Sequence, residues 1–414
     1  YLPLYSVSGL WRISDEPFMK NVTVINHLGL RASYGLQGNI DKNTSPYLIG
    51  IYDQTTILPG NSEDAIRPSS APNPDLRWEK TQSANIGMDL SLWDNIISLS
   101  VDYYYRKGTD LIGLRMLPLE TGYTSTTVNW AQMENEGVEV ALTTRNIHTK
   151  DFTWFTNLNF GYNDNTVLRE TVAENAIKPS REGYSVGAIF AYKTAGLDDE
   201  GYPLFLTQDG RKVTATEFFK LNNAGASTLS AEEQRNLYSY IGSTEPKVSG
   251  GFMNTFKYKR VTLGINCIFN FGMYVQTTPT YDPTNYDRGL NSNRDILNRW
   301  TPDHTNTTLP KLMTENDGRT GEYLRYKEQN LFRELDIWVK KQNYFRFESI
   351  RLGYELPEKW LKPVGIKSAS VSLEGRNLWV IASNYHNYLD PETMGNPYAA
   401  PIPKSFIFGL NVNF

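Results

Sequence analysis

"SANIGMDLSLWDNIISLSVDYYYR", residues 83–106, decides the fold. Asp94-Asn95 reads as a tight hairpin turn, a composition such turns favour. Leu92 then faces Ile97, Leu90 faces Leu99, Met88 faces Val101, Ile86 faces Tyr103 and Ala84 faces Tyr105. On the opposite face Ser91 meets Ser98, Asp89 meets Ser100 and Gly87 meets Asp102. Apolar residues pair with apolar ones, and small or polar residues with their like. A slip of one residue would turn every side chain to the wrong face, so the pattern fixes the register. The segment predicts an antiparallel hairpin with one greasy and one wet side.

The same pattern returns in "GGFMNTFKYKRVTLGINCIFNFG", residues 250–272. A turn at Lys259-Arg260 sets Tyr258 against Val261, Phe256 against Leu263, Phe252 against Cys267 and Val248 against Phe271. Asn254 opposite Ile265 breaks the rule. The lone Cys267 falls on the apolar face and reads as a small hydrophobe. Weaker alternation marks Val22–Leu36, Val138–Leu142, Trp154–Tyr162, Ile350–Leu356 and Val371–Leu373. The last ten residues, "SFIFGLNVNF", alternate Phe406, Phe408, Leu410, Val412 and Phe414 with small or polar residues, Ile407 excepted. An apolar strand at a chain terminus calls for an apolar environment and a partner strand.

Short and long links alternate along the chain. Strands near 4–11 and 22–36 are joined closely, as are 80–93 with 96–110, 131–145 with 151–165, 246–258 with 261–274, and 341–356 with 366–382. The links 37–79, 111–130, 166–245, 275–340 and 383–403 are long. In an up-and-down antiparallel sheet all tight turns then lie at one end and all long loops at the other, as in outer-membrane barrels. The fold expected is all-β, a transmembrane up-and-down β-barrel with about eleven strands and long extracellular loops. Single-chain bacterial barrels have even strand numbers, and an open sheet leaves raw edges in lipid. Residues 1–414 are therefore expected to be the C-terminal part of a larger barrel, its missing strands lying in another segment or chain.

Composition fits. Over 414 residues the net charge is only −4, and no basic or acidic run points to nucleic acid. Mean hydropathy is −0.47, and no stretch approaches the ~18 apolar residues of a membrane-spanning helix. Aromatics nevertheless reach 13%, which suits a sheet whose alternate residues meet lipid. One cysteine excludes a disulfide framework. The four histidines, His27, His148, His304 and His386, are scattered, and no zincin, nucleophile-elbow or P-loop motif appears. No enzyme, metal or cofactor is expected. "GLDDEGYPLF", 196–205, lacks calcium-loop spacing and reads as a turn; "YLDPET", 388–393, reads as loop capping. "LSAEEQRNLYSYIG", 229–242, predicts a helix with a Ser230–Glu233 capping box and a stop at Gly242. "SNRDILNRW", 292–300, is a second helical segment.

Several of these stretches together resemble the SusC/RagA class of TonB-dependent outer-membrane transporters. They are "GLWRISDEPFMKN", "LGLRASYGLQGN", "NPDLRWEKTQSANIGMDLSLWDNIISLSVDYYYRKGTDLI", "NEGVEVAL", "ILNRWTP", "FRFESIRLGYELPEKWLKPVGIKSASVSLEGRNLWV" and "PKSFIFGLNVNF", in family order from about residue 8 to 414. The resemblance implies a barrel of about 22 strands of which residues 1–414 are the C-terminal half, a plug domain, N-terminal strands and a TonB-contacting segment that are not among these residues, and a SusD-like surface lipoprotein as lid. It implies active import of oligosaccharide or oligopeptide across the outer membrane of a Gram-negative bacterium, with loops extracellular and the C-terminus periplasmic. The family's final Phe matches Phe414, part of its assembly signal. A passive porin or adhesin barrel is the alternative.

Within this frame Asp89, Asp102, Asn157, Asn159, Asn266, Arg351, Glu374 and Arg376 are expected to face the lumen. Tyr281, Tyr286, Asp287, Arg288, Trp300, Tyr385, His386 and Tyr388 are candidate substrate contacts, since aromatic rings in loops stack on sugars or pack on peptides. Phe406, Phe408, Leu410, Val412 and Phe414 are the candidate closing strand.

Overall fold

The computed structural model describes residues 3–40, 42, 45–123, 125–285, 292–384, 390–396 and 398–414. Its backbone is one antiparallel wall of eleven strands: β1 (Tyr5–Arg12), β2 (Ile25–Asn39), β3 (Glu79–Leu92), β4 (Ile97–Met116), β5 (Ser125–His148), β6 (Phe152–Arg169), β7 (Val248–Tyr258), β8 (Val261–Phe271), β9 (Tyr344–Glu355), β10 (Ser368–Ala382) and β11 (Ser405–Asn413). Each strand pairs only with its sequence neighbours, so β1 and β11 each keep one unpaired edge in the sheet. Among the described residues no helix is long and apolar enough to cross a membrane.

The β3–β4 register is the one the alternation dictates, from Leu92 opposite Ile97 to Ala84 opposite Tyr105. Asp94 and Asn95 both take positive φ, 54° and 60°, and the Ile96 N–H closes the turn on the Trp93 carbonyl at 3.1 Å. Short polar side chains tolerate that left-handed pair. The β7–β8 ladder likewise sets Phe252 against Cys267. Asn254, the apparent misfit beside Ile265, is not an orphan. Its Oδ1 accepts from the Trp154 indole N–H at 2.9 Å and from the Thr156 hydroxyl at 2.7 Å. Its polarity is spent inside the sheet, which is what an outward amide requires in an apolar medium.

One face of the wall carries Val7, Tyr34, Ile86, Val101, Val140, Leu158, Leu352 and, on β11, Phe406, Phe408, Leu410 and Val412. Phe408 is 74% exposed. Monomeric soluble proteins rarely expose so long an apolar surface.

The long links are more structured than their sequences suggest. Residues 37–79 carry a separate hairpin, Ile49–Leu58 with Asn61–Ser70. Strands β4 and β5 continue pairing past a bulge at Gly108–Ile112, which shortens the predicted link 111–130. The links from β6 to β7 and from β8 to β9 fold together as a cap with one apolar core. Tyr192, Phe205 and Phe219 come from the first, and Tyr281, Met313 and Trp338 from the second. Three helices serve it: α1 (Ala215–Phe219), α2 (Ala231–Arg235) and α3 (Thr320–Gln329). The Ser230–Glu233 capping box forms at α2 as predicted, but the helix is shorter. Gly242 lies instead in a strand, Ser239–Ser243, paired with Ala188–Ala191. A side chain there would overlap the Tyr274 ring, so packing and not a helix stop explains this glycine. Residues Arg294–Asn298 form a 3-10 turn under an Asn293 cap.

Candidate functional site

Period-two alternation sends every second side chain of the wall to the polar face. On β2, β3 and β4 this brings Arg31, Asp89, Ser100 and Asp102 together. The Arg31 guanidinium is ion-paired with Asp89 at 2.8 Å, its Nη2 donates to Asp89 Oδ1 at 3.2 Å and to Asp102 Oδ2 at 2.9 Å, and the Ser100 hydroxyl donates to Asp89 at 2.8 Å. Gly87 lies between Arg31 and Asp102 in the ladder, and a Cβ there would strike both side chains. Next along the same row Glu139 faces Asp102, with no hydrogen bond or ion pair of its own among the described residues. One strand over, the Tyr104 ring lies across Gly137 and its hydroxyl donates to Asn163 at 2.8 Å. The aromatic fills the space that glycine leaves, a device that holds a curved sheet in register. Asn157, Asn159, Asn266, Arg351, Glu374 and Arg376 share this face, as the alternation predicts. Arg376 pairs with Glu374 at 2.6 Å, and Asn266 donates to Glu348 at 2.5 Å.

Higher on this face Arg346 of β9 is only 2% exposed. Its Nη2 meets Asp390 and its Nε meets Glu392, each at 2.5 Å. The "DPET" capping expected from sequence is real, since Asp390 Oδ1 also accepts from the Glu392 N–H at 3.0 Å. The ion pairs to Arg346 were not legible. An arginine between Phe345 and Phe347 marked an inward position, but nothing in the sequence tied it to a loop forty residues away.

In the cap, Asp198 turns the chain at 198–202, its Oδ1 accepting from the N–H groups of Glu200 and Tyr202. Its other oxygen binds Arg319 at 2.6 Å, so the carboxylate is committed to an internal cation. The Arg319 guanidinium lies 4.4 Å from the Tyr202 ring centre, and Tyr202 donates to Asp317 at 3.0 Å. Burial alone would push the Asp317 carboxyl up. Donors from Thr314, Lys311 and Tyr202 outweigh it and hold the pKa at about 2. A carboxylate depressed in the folded state contributes stability that is complete above its unfolded pKa of ~3.9 and fades as pH falls toward 2. Asp317→Asn should therefore cost the cap about 2 kcal/mol at pH 7 and nothing below pH 2. Hydrogen exchange of residues 198–205 and 310–320 at pH 6, 4 and 2.5 reads this directly; equal loss at every pH would contradict it.

The candidate substrate residues separate. Tyr281 is 7% exposed, packs on Phe332 in the cap core and donates its hydroxyl to the Pro310 carbonyl at 2.7 Å. In this structure it is part of the cap core. Trp300 is half-buried over Gly201, whose φ of 83° and contact with the indole both demand glycine. Tyr286, Asp287, Arg288, Tyr385, His386 and Tyr388 lie outside the described residues.

A wall with tight turns at one end, a greasy outside and a charged inside agrees with what similarity finds. Residues 4–378 match the family model for the β-barrel of TonB-dependent receptor-like proteins. The chain belongs to that family. Among curated relatives, TonB-dependent receptor P3 of Formosa agariphila is 27% identical, over 98% of this chain and 41% of that protein. TonB-dependent receptor SusC of Bacteroides thetaiotaomicron is 23% identical, over 98% of this chain and 39% of that protein. Among solved structures, that of the RagAB peptide transporter superposes with a TM-score of 0.76 at 26% identity, covering 99% of this chain and 43% of the other. This TonB-dependent receptor barrel is thus of the SusC/RagA type. The chain spans about two fifths of the length of the relatives it matches.

Proposed function

We propose that residues 1–414 form the C-terminal part of an outer-membrane barrel of about 22 strands. The reading is of an importer that takes up oligosaccharides or oligopeptides by an energy-coupled mechanism. The observation that carries it is the two-sided wall with unpaired edges at β1 and β11. Such edges are untenable in lipid, so further strands must complete the ring, with β11 and its Phe406, Phe408, Leu410, Val412 and terminal Phe414 as the closing strand. The relatives' greater length leaves room for those strands and for a plug and TonB-contacting segment. The cap then stands on the extracellular side, where a SusD-like lipoprotein would close over it. Candidate contacts for cargo are Trp300, the buried Tyr281 should the cap open, and, from sequence alone, Tyr286, Asp287, Arg288, Tyr385, His386 and Tyr388. The likeness to the RagAB peptide transporter favours oligopeptides over glycans.

In cells carrying the intact receptor, uptake of radiolabelled mixed oligopeptides is expected to stop on deletion of the gene. It is also expected to stop when a protonophore collapses the proton-motive force. Uptake that persists in de-energised cells would indicate a passive pore instead; loss of oligosaccharide uptake alone would reassign the cargo.

A further inference from the structure

Residues 390–396 form a compact strap on the polar face of the wall. The Thr393 N–H returns to the Asp390 carbonyl and the Asn396 N–H to the Thr393 carbonyl, each at 2.9 Å. Pro391 and Met394 are buried. The strap has two anchorages. At one, Asp390 and Glu392 hold Arg346 on β9, with the Arg346 side chain 3% exposed. At the other, Gly395 packs so closely on Val275 that a Cβ would come within 3.0 Å of its Cγ2. Val275 belongs to the short ladder Tyr274–Gln276 with Val339–Lys341. Val339 of that ladder packs with Ile189 and Ala191 at the root of the cap. Three parts of the molecule, each from a different link or strand, therefore meet through seven residues.

We propose that the Arg346–Asp390–Glu392 cluster is a latch that couples the strap and the root of the cap to the lumen wall, so that displacement of one is transmitted to the others. Arg346 and Asp390 are held away from water with Glu392 at their edge, so removing the arginine leaves a buried carboxylate uncompensated. The cluster is thus a two-state element, seated or released, and release frees the strap from β9 while Gly395 carries the change to Val275.

Hydrogen exchange on the intact, full-length receptor tests the latch. In Arg346→Met, amides 392–396 and the 274–276/339–341 ladder should both exchange at least tenfold faster, with β10 and β11 unchanged. Native exchange at 392–396 overturns the proposal, as does a freed strap beside an unaltered ladder. Should β10 and β11 loosen as well, Glu392→Gln replaces that variant, removing only the most exposed partner. A severalfold rise at strap and ladder together then supports the latch, and no change at either refutes it.

Discussion

Val140→Arg is expected to remove nearly all assembled receptor from the membrane, whereas Glu139→Lys on the adjacent residue is tolerated. The two positions are neighbours on β5 and present opposite faces. Val140 pairs with Val101 and Phe160 across the greasy side, midway along the apolar band of β5. An arginine at such a depth costs about 2–4 kcal/mol, with no carboxylate in the facing pairs to receive it. Glu139 is already exposed on the polar face and stands opposite Asp102. A lysine there replaces a like-charge pair by an attractive one. Heat-modifiable migration of the full-length receptor, with membrane yield, separates the outcomes. Equal yields would show that β5 does not have one face in lipid.

The second large effect is expected in the cap. Phe219 is fully buried, with ring centres of Tyr192 and Phe218 at 4.9 Å and of Phe205 at 5.3 Å. Arg325 lies over its face at 4.8 Å. Phe219→Ala should destabilise the cap by about 3–5 kcal/mol through lost burial and the cavity left behind. It also strips the aromatic surface from a buried guanidinium whose Nε has no partner, so the loss belongs at the upper end. Limited proteolysis should cut within 170–245 and 275–340 while the barrel keeps its heat-modifiable shift. A protease-resistant cap in the variant would mean that the core does not depend on this ring.

The wall was legible in the sequence because its information is local. Residues 83–106 specify their own pairing by period two, and Lys259-Arg260 does the same for β7 and β8. The link lengths then order the strands. The Ser230 capping box was legible for the same reason, since its partners are three residues apart. The cap was not. Its aromatic residues show no helical or strand period, and Tyr281 and Trp300, read as loop rings that could contact substrate, are drawn inward by contacts with segments tens of residues away. Gly242 misled because a glycine after a polar run signals a helix stop as readily as close approach to a ring. Arg346 and Asp390 each suit their local surroundings, and only the fold shows that they meet.

The shared core of the cap has a consequence for biogenesis. Its two halves are separated in the chain by the whole β7–β8 hairpin, residues 248–271, so neither can bury its aromatic surface until the other has been delivered. Contacts of such long sequence separation form late. Until then both segments remain sticky, unpaired stretches prone to association. Holding chaperones are therefore expected to engage 190–240 and 275–340 longest, and completion of the cap should be the last event of maturation.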